Sequence, residues 1–313
     1  ARDLIEEVAR LLGYDQIPLC LPDSLRLQHS HSLHQISRHR LKETLVNRGY
    51  DEAITYSFIS PKQHQAVSEK APHWVLSNPI SEELSVMRES LLPGLLKSVE
   101  HNTSRQQHRV RLFEIGKCFT KTHEPLMLGI MATGPVFQEV WRDQQLTDFF
   151  SFKSDINALL SQVTEGVISY DAEKNLFGAH PGQCARIYVT VASGARQQIG
   201  HLCRVHPQLE RQWDIRNPVF FAEISLEALP SKCWTKTAPI SKFPVMIRDL
   251  AIELPVAVSA AQLQGLVVEK GGEHLHSVDV FDVYQGPKMP EGVKSIALRL
   301  LFQDPSGTLQ DEV

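Results

Sequence analysis

Charges set inside an apolar run constrain this chain most. From Val110 to Phe119 it reads VRLFEIGKCF, with Arg111 and Glu114 among Val, Leu, Phe and Ile, and with Arg88 and Arg109 shortly before. A charge taken out of water has to be paired or has to face a cleft. Upstream, Asn78-Pro79 marks a turn after Val75 and Leu76, and Leu91, Leu92, Leu95, Leu96 and Val99 recur at helical spacing around Pro93. The pattern predicts a helix crossing between two buried strands. Two readings of Arg111 and Glu114 stand side by side: a buried ion pair that positions strands, and a strand that once faced a substrate.

The run RVRLFEIGKCF resembles the second signature strand of class II aminoacyl-tRNA synthetases, in which an Arg and a Glu flank an aromatic residue. The longer SNPISEELSVMRESLLPGLL is similar to the beta subunit of bacterial phenylalanyl-tRNA synthetase, and the likeness extends over nearly the whole chain. It implies that this segment belongs to a synthetase-like module that does not itself perform the reaction.

At 313 residues the chain has room for two or three domains with a large core. A formal net charge of -4 argues against a generally basic nucleic-acid coat, so any RNA contact is local. Cys20, Cys118, Cys184, Cys203 and Cys233 are scattered without a CxxC pair, which points to a reducing cytoplasm rather than a disulfide framework or a zinc site. No apolar run reaches membrane-spanning length, and no signal peptide is present. The sequence opens on a helix without an initiator Met and stops in an acidic stretch, so it is expected to be a piece of a longer polypeptide.

Asp3 to Leu12 reads as an amphipathic helix, with Leu4, Ile5, Val8, Leu11 and Leu12 on one face and Gly13 as its stop. Asp3, Glu6 and Glu7 lie opposite; acids in a first turn are favoured by the helix dipole, and on residues alone they form a solvated face. The resemblance adds a second reading. DLIEEVARLLGYDQIP is similar to the end of a beta-subunit domain whose Asp and two Glu bind Mg2+ shared with the alpha subunit, which implies Asp3, Glu6 and Glu7 as ligands. Hard carboxylate oxygens suit Mg2+. The family's fourth ligand, an Asp about six residues before Asp3, lies outside this sequence, so the site as given is incomplete.

Cys20 to His31 has one proline, Pro22, and no helical period, and marks a domain boundary. Ser32 to Arg48 predicts a helix carrying Leu33, Ile36, Leu41, Leu45 and Val46, stopped at Gly49, and Ala53 to Ile59 a half-buried strand in which Ile54, Tyr56 and Phe58 alternate with Thr55 and Ser57. His29, His31, His34 and His39 are irregularly spaced without a nearby Cys or acid, and read as exposed positions. Farther on, Leu126 to Thr133, Val167 to Tyr170, Arg186 to Val191, Gln198 to Cys203 and Val219 to Ile224 predict strands, and Phe149 to Val163 a helix. Many strands with few crossover helices favour an antiparallel sheet flanked by helices. HPGQCARI (His180 to Ile187) and GHLCRVHP (Gly200 to Pro207) read as hairpin corners in which His180 and His206 are architectural. Class II catalysis uses an arginine on a glycine-rich strand leading into a helix; the sequence offers no such pair, nor a P-loop, a GxGxxG, a GxSxG or a Cys/His nucleophile arrangement.

After Leu229-Pro230 and a polar run to Ile240 a last module begins. KFPVMIRDLAIEL predicts a strand with Leu250, Ile252 and Leu254 on one face; Ser259 to Lys270 a capped helix with Leu263, Leu266 and Val267 inward; SVDVFDVYQG and KSIALRLLFQD two further strands. This β-α-β-β order describes a ferredoxin-like split sandwich. KFPVMIRDL, FDVYQG, KSIALRLLF and GTLQDEV resemble the ferredoxin-fold anticodon-binding domain of the same family. Unstacked anticodon bases want planar groups with cations at the rim, and Lys242, Arg248, Tyr284, Lys288 and Lys294 are the candidates. From Ser241 to Val313 six Lys or Arg face ten Asp or Glu, a net of -4, so binding by this module alone should be weak and salt-sensitive.

Together these readings give an α+β chain: a class II synthetase-like antiparallel sheet with flanking helices, followed by a ferredoxin-like split β-α-β sandwich. The expected domains are residues 1–24, the tail of a small domain; 25–234, the non-catalytic synthetase-like module; and 235–313, the anticodon-binding module. The resemblance implies a cytoplasmic subunit of phenylalanine-tRNA ligase that scaffolds a catalytic alpha subunit in an alpha2beta2 tetramer and binds tRNA(Phe), with ATP used at the alpha subunit. The rival readings are a self-sufficient class II amino-acid-activating enzyme and a structural dimerisation module without an RNA role.

Overall fold

The computed structural model describes residues 2–18, 33–137, 141, 145–164, 166–191, 193–230, 240–287 and 289–309, with the side chains of residues 33–37 and 66 left aside. The chain divides into two units, Ala1–Trp234 and Thr235–Val313. In the first, the elements run α1 (Arg2–Leu12), α2 (Leu33–Asn47), β1 (Asp51–Glu52), β2 (Phe58–Ile59), α3 (Pro61–Val67), β3 (Val86–Met87), α4 (Leu92–Thr103), β4 (Val110–Lys117), β5 (Leu126–Thr133), α5 (Phe149–Val163), β6 (Val167–Ala172), β7 (Ala179–Thr190), β8 (Arg196–Val205), α6 (Pro207–Gln212) and β9 (Val219–Ser225).

Seven strands in the order β1-β4-β5-β9-β8-β7-β6 form one sheet. β1 pairs parallel with β4, and every other neighbouring pair is antiparallel. Alternation along the strands builds two cores, one on each face. Phe113, Leu128, Ile130, Phe220, Ala222 and Leu202 face α2 and α5 and pack with Leu41, Leu45, Phe152, Ile156 and Leu160. Val110, Leu112, Met131, Phe221, Cys184 and Cys203 face the other way, against Leu91, Leu92, Leu95, Leu96 and Val99 of α4 and its entry. A Cβ at Gly129 would lie 3.0 Å from Leu91 Cβ and 3.0 Å from Leu95 Cδ1, so α4 sits on β5 at a distance that leaves a side chain there no slack.

Several local expectations change. Ala53 to Ile59 is not one half-buried strand: β1 ends at Glu52, the chain crosses to the β2–β3 pair, and Ile54 and Tyr56 are 91% and 74% exposed. Thr55 turns inward instead, because the buried Glu114 carboxylate accepts its hydroxyl hydrogen bond at 2.7 Å. Val46 of α2 is exposed while Leu41 and Leu45 are buried, and Gly49 at φ 77° ends the helix in the left-handed region. HPGQCARI is not a hairpin corner. It lies within β7, where the four residues between Ala179 and Cys184 oppose the single residue between Val205 and Cys203 in a wide bulge. His206-Pro207 is likewise a strand-to-helix junction, in which His206 caps α6 by accepting from Gln208 N. So β8 does lead into a helix, a pair not expected from the sequence.

The second unit comprises β10 (Met246–Pro255), α7 (Ala260–Lys270), β11 (Leu275–Tyr284) and β12 (Val293–Phe302), with antiparallel sheet order β10-β12-β11. Ser259 and Gln262 form a reciprocal capping box at the start of α7. Leu254, Leu263, Ile296, Leu298 and Leu300 are its core. Leu266 is 53% exposed, so its expected inward position is corrected, while Leu250, Ile252 and Leu254 share one face as expected, with Leu250 47% exposed.

Candidate functional site

Register brings a row of polar residues across the α4 side of the large sheet. Glu114 lies opposite Gly129, Gly129 opposite Glu223, Glu223 opposite His201, His201 opposite Arg186 and Arg186 opposite Asp171. Paired residues in an antiparallel sheet share a face, so these side chains form one line under α4 and its flanks. Nothing in the sequence separations announces it; only the register does.

Each charge in the row is held. Arg88 Nη1 reaches Glu114 Oε1 at 2.6 Å and Thr55 Oγ1 at 3.0 Å, and its Nε donates to Lys117 O at 3.0 Å. Both side chains are buried. Glu223 Oε1 accepts from Leu91 N at 2.7 Å and Ser90 Oγ at 3.0 Å, tying the entry of α4 to β9. Burial pushes the Glu223 carboxyl above the usual range, against the lowering pull of those two donors and Arg88. His201 goes the other way: burial, with Arg186 adding to it, takes its imidazole down to about 4. Arg186 Nε donates to Glu173 Oε2 at 2.5 Å.

Arg111 lies on the opposite face, because residues three apart in a strand point to opposite sides. Its Nη1 donates to Asp155 Oδ2 at 2.9 Å, and Asp155 also accepts from Arg48 at 2.6 Å and Tyr50 OH at 2.8 Å. The Arg111 guanidinium lies 4.9 Å from the Tyr50 ring centroid. The reading of Arg111 and Glu114 as one ion pair is thus corrected: both are paired, with different residues on different faces. Arg88, beside the polar row, and Arg186, within it, are both bound to carboxylates, Glu114 and Glu173.

The acids of α1 are exposed, and Glu7 takes Arg10 Nη2 at 2.5 Å. Among the described residues no three His, Cys, Asp or Glu side chains are placed to hold a metal ion. Asp3, Glu6 and Glu7 therefore supply the right oxygen donors but not a closed set. Leu4, Ile5, Val8, Leu11 and Leu12 of the same helix are exposed too.

The small sheet divides the candidate RNA residues. Arg248 and Lys294 register opposite Leu300 and Leu254, on the side where α7 packs; Lys294 Nζ donates to Val256 O at 3.1 Å, and Arg248 donates to Ile247 O at 3.3 Å. Lys242 precedes β10 and is exposed, and Lys288 lies outside the described residues. Tyr284 registers opposite Ser295 on the open face. A bulge between Val280 and Asp282 puts it there: without the extra residue Tyr284 would share the buried side of Val280. Phe281, at the same bulge, is 52% exposed, with Arg299 5.0 Å from its ring centroid. Arg299 is bidentate to Asp249 at 2.9 and 2.7 Å. Phe281 and Arg299 are planar groups the sequence reading missed, although alternation from Val280 and from Leu298 already points both outward. Asp249, Glu253, Asp279 and Asp282 register on that open face as well, which suits base stacking better than phosphate contact.

Comparison with known proteins closes the identification. The model "Phenylalanyl tRNA synthetase beta chain CLM domain" matches residues 17–226, and "Ferredoxin-fold anticodon binding domain" matches residues 241–313. Phenylalanine--tRNA ligase beta subunits of Vibrio vulnificus and Photorhabdus laumondii are each 39% identical over 99% of this chain, and that of Haemophilus influenzae is 38% identical over 99%. The chain spans 39% of the length of each of these relatives. Among solved structures, a pyrrolysyl tRNA synthetase of Desulfitobacterium hafniense aligns at 15% identity and a TM-score of 0.46, covering 61% of this chain and 66% of that one, too slight a likeness to add to the fold described. On the family model across its first unit and the identity along its whole length, this chain belongs to the phenylalanyl-tRNA synthetase beta chain family.

Proposed function

We propose that this chain serves as a platform within a cytoplasmic phenylalanine-tRNA ligase: its first unit supports a catalytic alpha subunit in an alpha2beta2 assembly, and its second holds the anticodon region of tRNA(Phe). ATP and phenylalanine are used at the alpha subunit. The observation that carries this reading is the filled sheet. Leu91, Leu95 and Leu96 cover the sheet face that carries the polar row, and the cations Arg88 and Arg186 there are neutralised by Glu114 and Glu173. The boundaries proposed are a small-domain tail to residue 24, the synthetase-like module to 234 and the anticodon-binding module from 235.

Mg2+ would be held by Asp3, Glu6 and Glu7 together with donors from outside this sequence, after Glu7 leaves Arg10. Bound there, the ion would neutralise carboxylates at a subunit boundary. RNA contact belongs to the open face of the small sheet, with Tyr284, Phe281 and Arg299 as stacking groups and Lys242 and Lys288 as candidate cations, while Arg248 and Lys294, on the α7 side, could reach RNA only from the sheet's other face.

The test is phenylalanine-dependent ATP-pyrophosphate exchange. The chain alone should give none, and exchange should appear with the alpha subunit; exchange by the chain alone would overturn the platform reading. Titration of tRNA(Phe) at low salt separates the RNA role: removing residues 241–313 from the assembled enzyme should weaken binding, and unchanged binding would leave only scaffolding.

A further inference from the structure

Two cysteines that neither the fold nor the proposed role requires meet across the β7–β8 ladder. Cys184 and Cys203 are register partners. Glu173 N donates to Cys184 O at 3.0 Å, so the main-chain groups of Cys184 point to β6 and away from β8. That makes Cys184 and Cys203 a non-hydrogen-bonded pair, the kind in which Cα atoms approach to about 4.5 Å and side chains come closest. A disulfide needs Cα atoms about 4.4–6.8 Å apart, a range that includes the usual spacing of such a pair.

Their surroundings favour the bond further. The two thiols act on each other: Cys203 lowers the Cys184 thiol, and Cys184 raises that of Cys203. Arg186, two residues along on the same face, favours a Cys184 thiolate; Glu173 and burial oppose it. Both thiols are buried, but Cys184 borders the bulge, where Pro181 and Gly182 are exposed, and a small oxidant has a short path there.

We propose that Cys184 and Cys203 form a reversible dithiol–disulfide site that peroxide-class oxidants close. The Cys184 thiolate attacks one oxygen of hydrogen peroxide, breaking the O–O bond to give a sulfenic acid and hydroxide. Cys203 sulfur then attacks the sulfenic sulfur, the S–S bond forms, and the sulfenic oxygen leaves as water with the thiol proton. Peroxide is reduced by two electrons and the pair is oxidised by two. A small dithiol such as dithiothreitol restores both thiols by exchange. The link would add a covalent tie between β7 and β8 beside the bulge.

Full-length folded chain is treated with hydrogen peroxide, free thiols are alkylated after denaturation, and the digest is read by mass spectrometry. The expected result is a Cys184–Cys203 linked peptide lighter by two hydrogens, lost on dithiothreitol treatment, while Cys118 remains alkylated. In Cys203→Ser, Cys184 should stop at sulfenic acid, trapped by dimedone. Should wild-type Cys184 and Cys203 stay alkylated after exposure, link to other cysteines, or pair only once the chain is unfolded, the proposal fails. The wild-type reading does not depend on the variant folding.

Discussion

At the scale of single residues, the first unit is defined by charges that the fold surrounds and pairs. Removing one partner strands the other, and a stranded buried charge costs about 3–5 kcal/mol. Asp155→Ala leaves Arg111 buried, with Tyr50 and Arg48 losing their acceptor, and should lower unfolding free energy by about that amount in urea titration. Replacing Arg111 and Asp155 together by Met and Leu should recover most of the loss, because no isolated charge remains. His201 gives a pH signature. Its folded value of about 4 lies below the ordinary 6.5, so below pH 6.5 the unfolded chain takes up a proton that the fold refuses until about pH 4. Above pH 6.5 the residue has no pH-dependent effect; between 6.5 and 4 it draws stability down as pH falls. His201→Gln should flatten that part of the decline in urea midpoints measured against pH.

Among the elements, α4 decides what the large sheet can do. Its leucines rest on β5 through Gly129, and its entry is anchored to β9 by Glu223. Gly129→Ala pushes a methyl against Leu91 and Leu95 and should cost about 1–3 kcal/mol by overpacking, seen as a lower thermal midpoint with the secondary structure content retained. In the small sheet, β11 matters through its bulge, which turns Tyr284 to the open face beside Phe281. Phe281→Ala removes no core contact and should leave that unit's stability nearly unchanged. Base stacking on an aromatic contributes about 1–3 kcal/mol, so in the assembled ligase the same change should weaken tRNA(Phe) binding by roughly ten- to a hundredfold in filter titration.

Over the whole molecule, two units of different character divide the proposed labour. The first has a sheet filled on both faces and polar side chains committed to one another; the second leaves one sheet face open, with aromatic and guanidinium groups on it. The open face is rich in carboxylates, so tRNA affinity traceable to this unit should come mainly from stacking. Phe281→Ala should therefore reduce binding by a similar factor at low and moderate salt, whereas loss of a phosphate-contacting cation would also lower the salt slope of the binding constant.

The sequence by itself determined the elements whose signal is local. β5 and α5 fall at the residues their periodicity marks, Ser259 starts α7 through its own side chain, and the strand of charges at Val110 lies where its apolar run places it. The family too was legible, from ordered motifs in register along the chain. Tertiary structure decided which charge meets which: Arg88 finds Glu114 from 26 residues away, Arg111 finds Asp155 from 44, and the polar row from Glu114 to Asp171 exists only in the register of six strands. The bulges that turn Tyr284 outward and set Cys184 against Cys203 were equally hidden. Periodicity reports how a residue sits on its own strand, while pairing, bulging and burial depend on a neighbour that the chain brings back from far along its length.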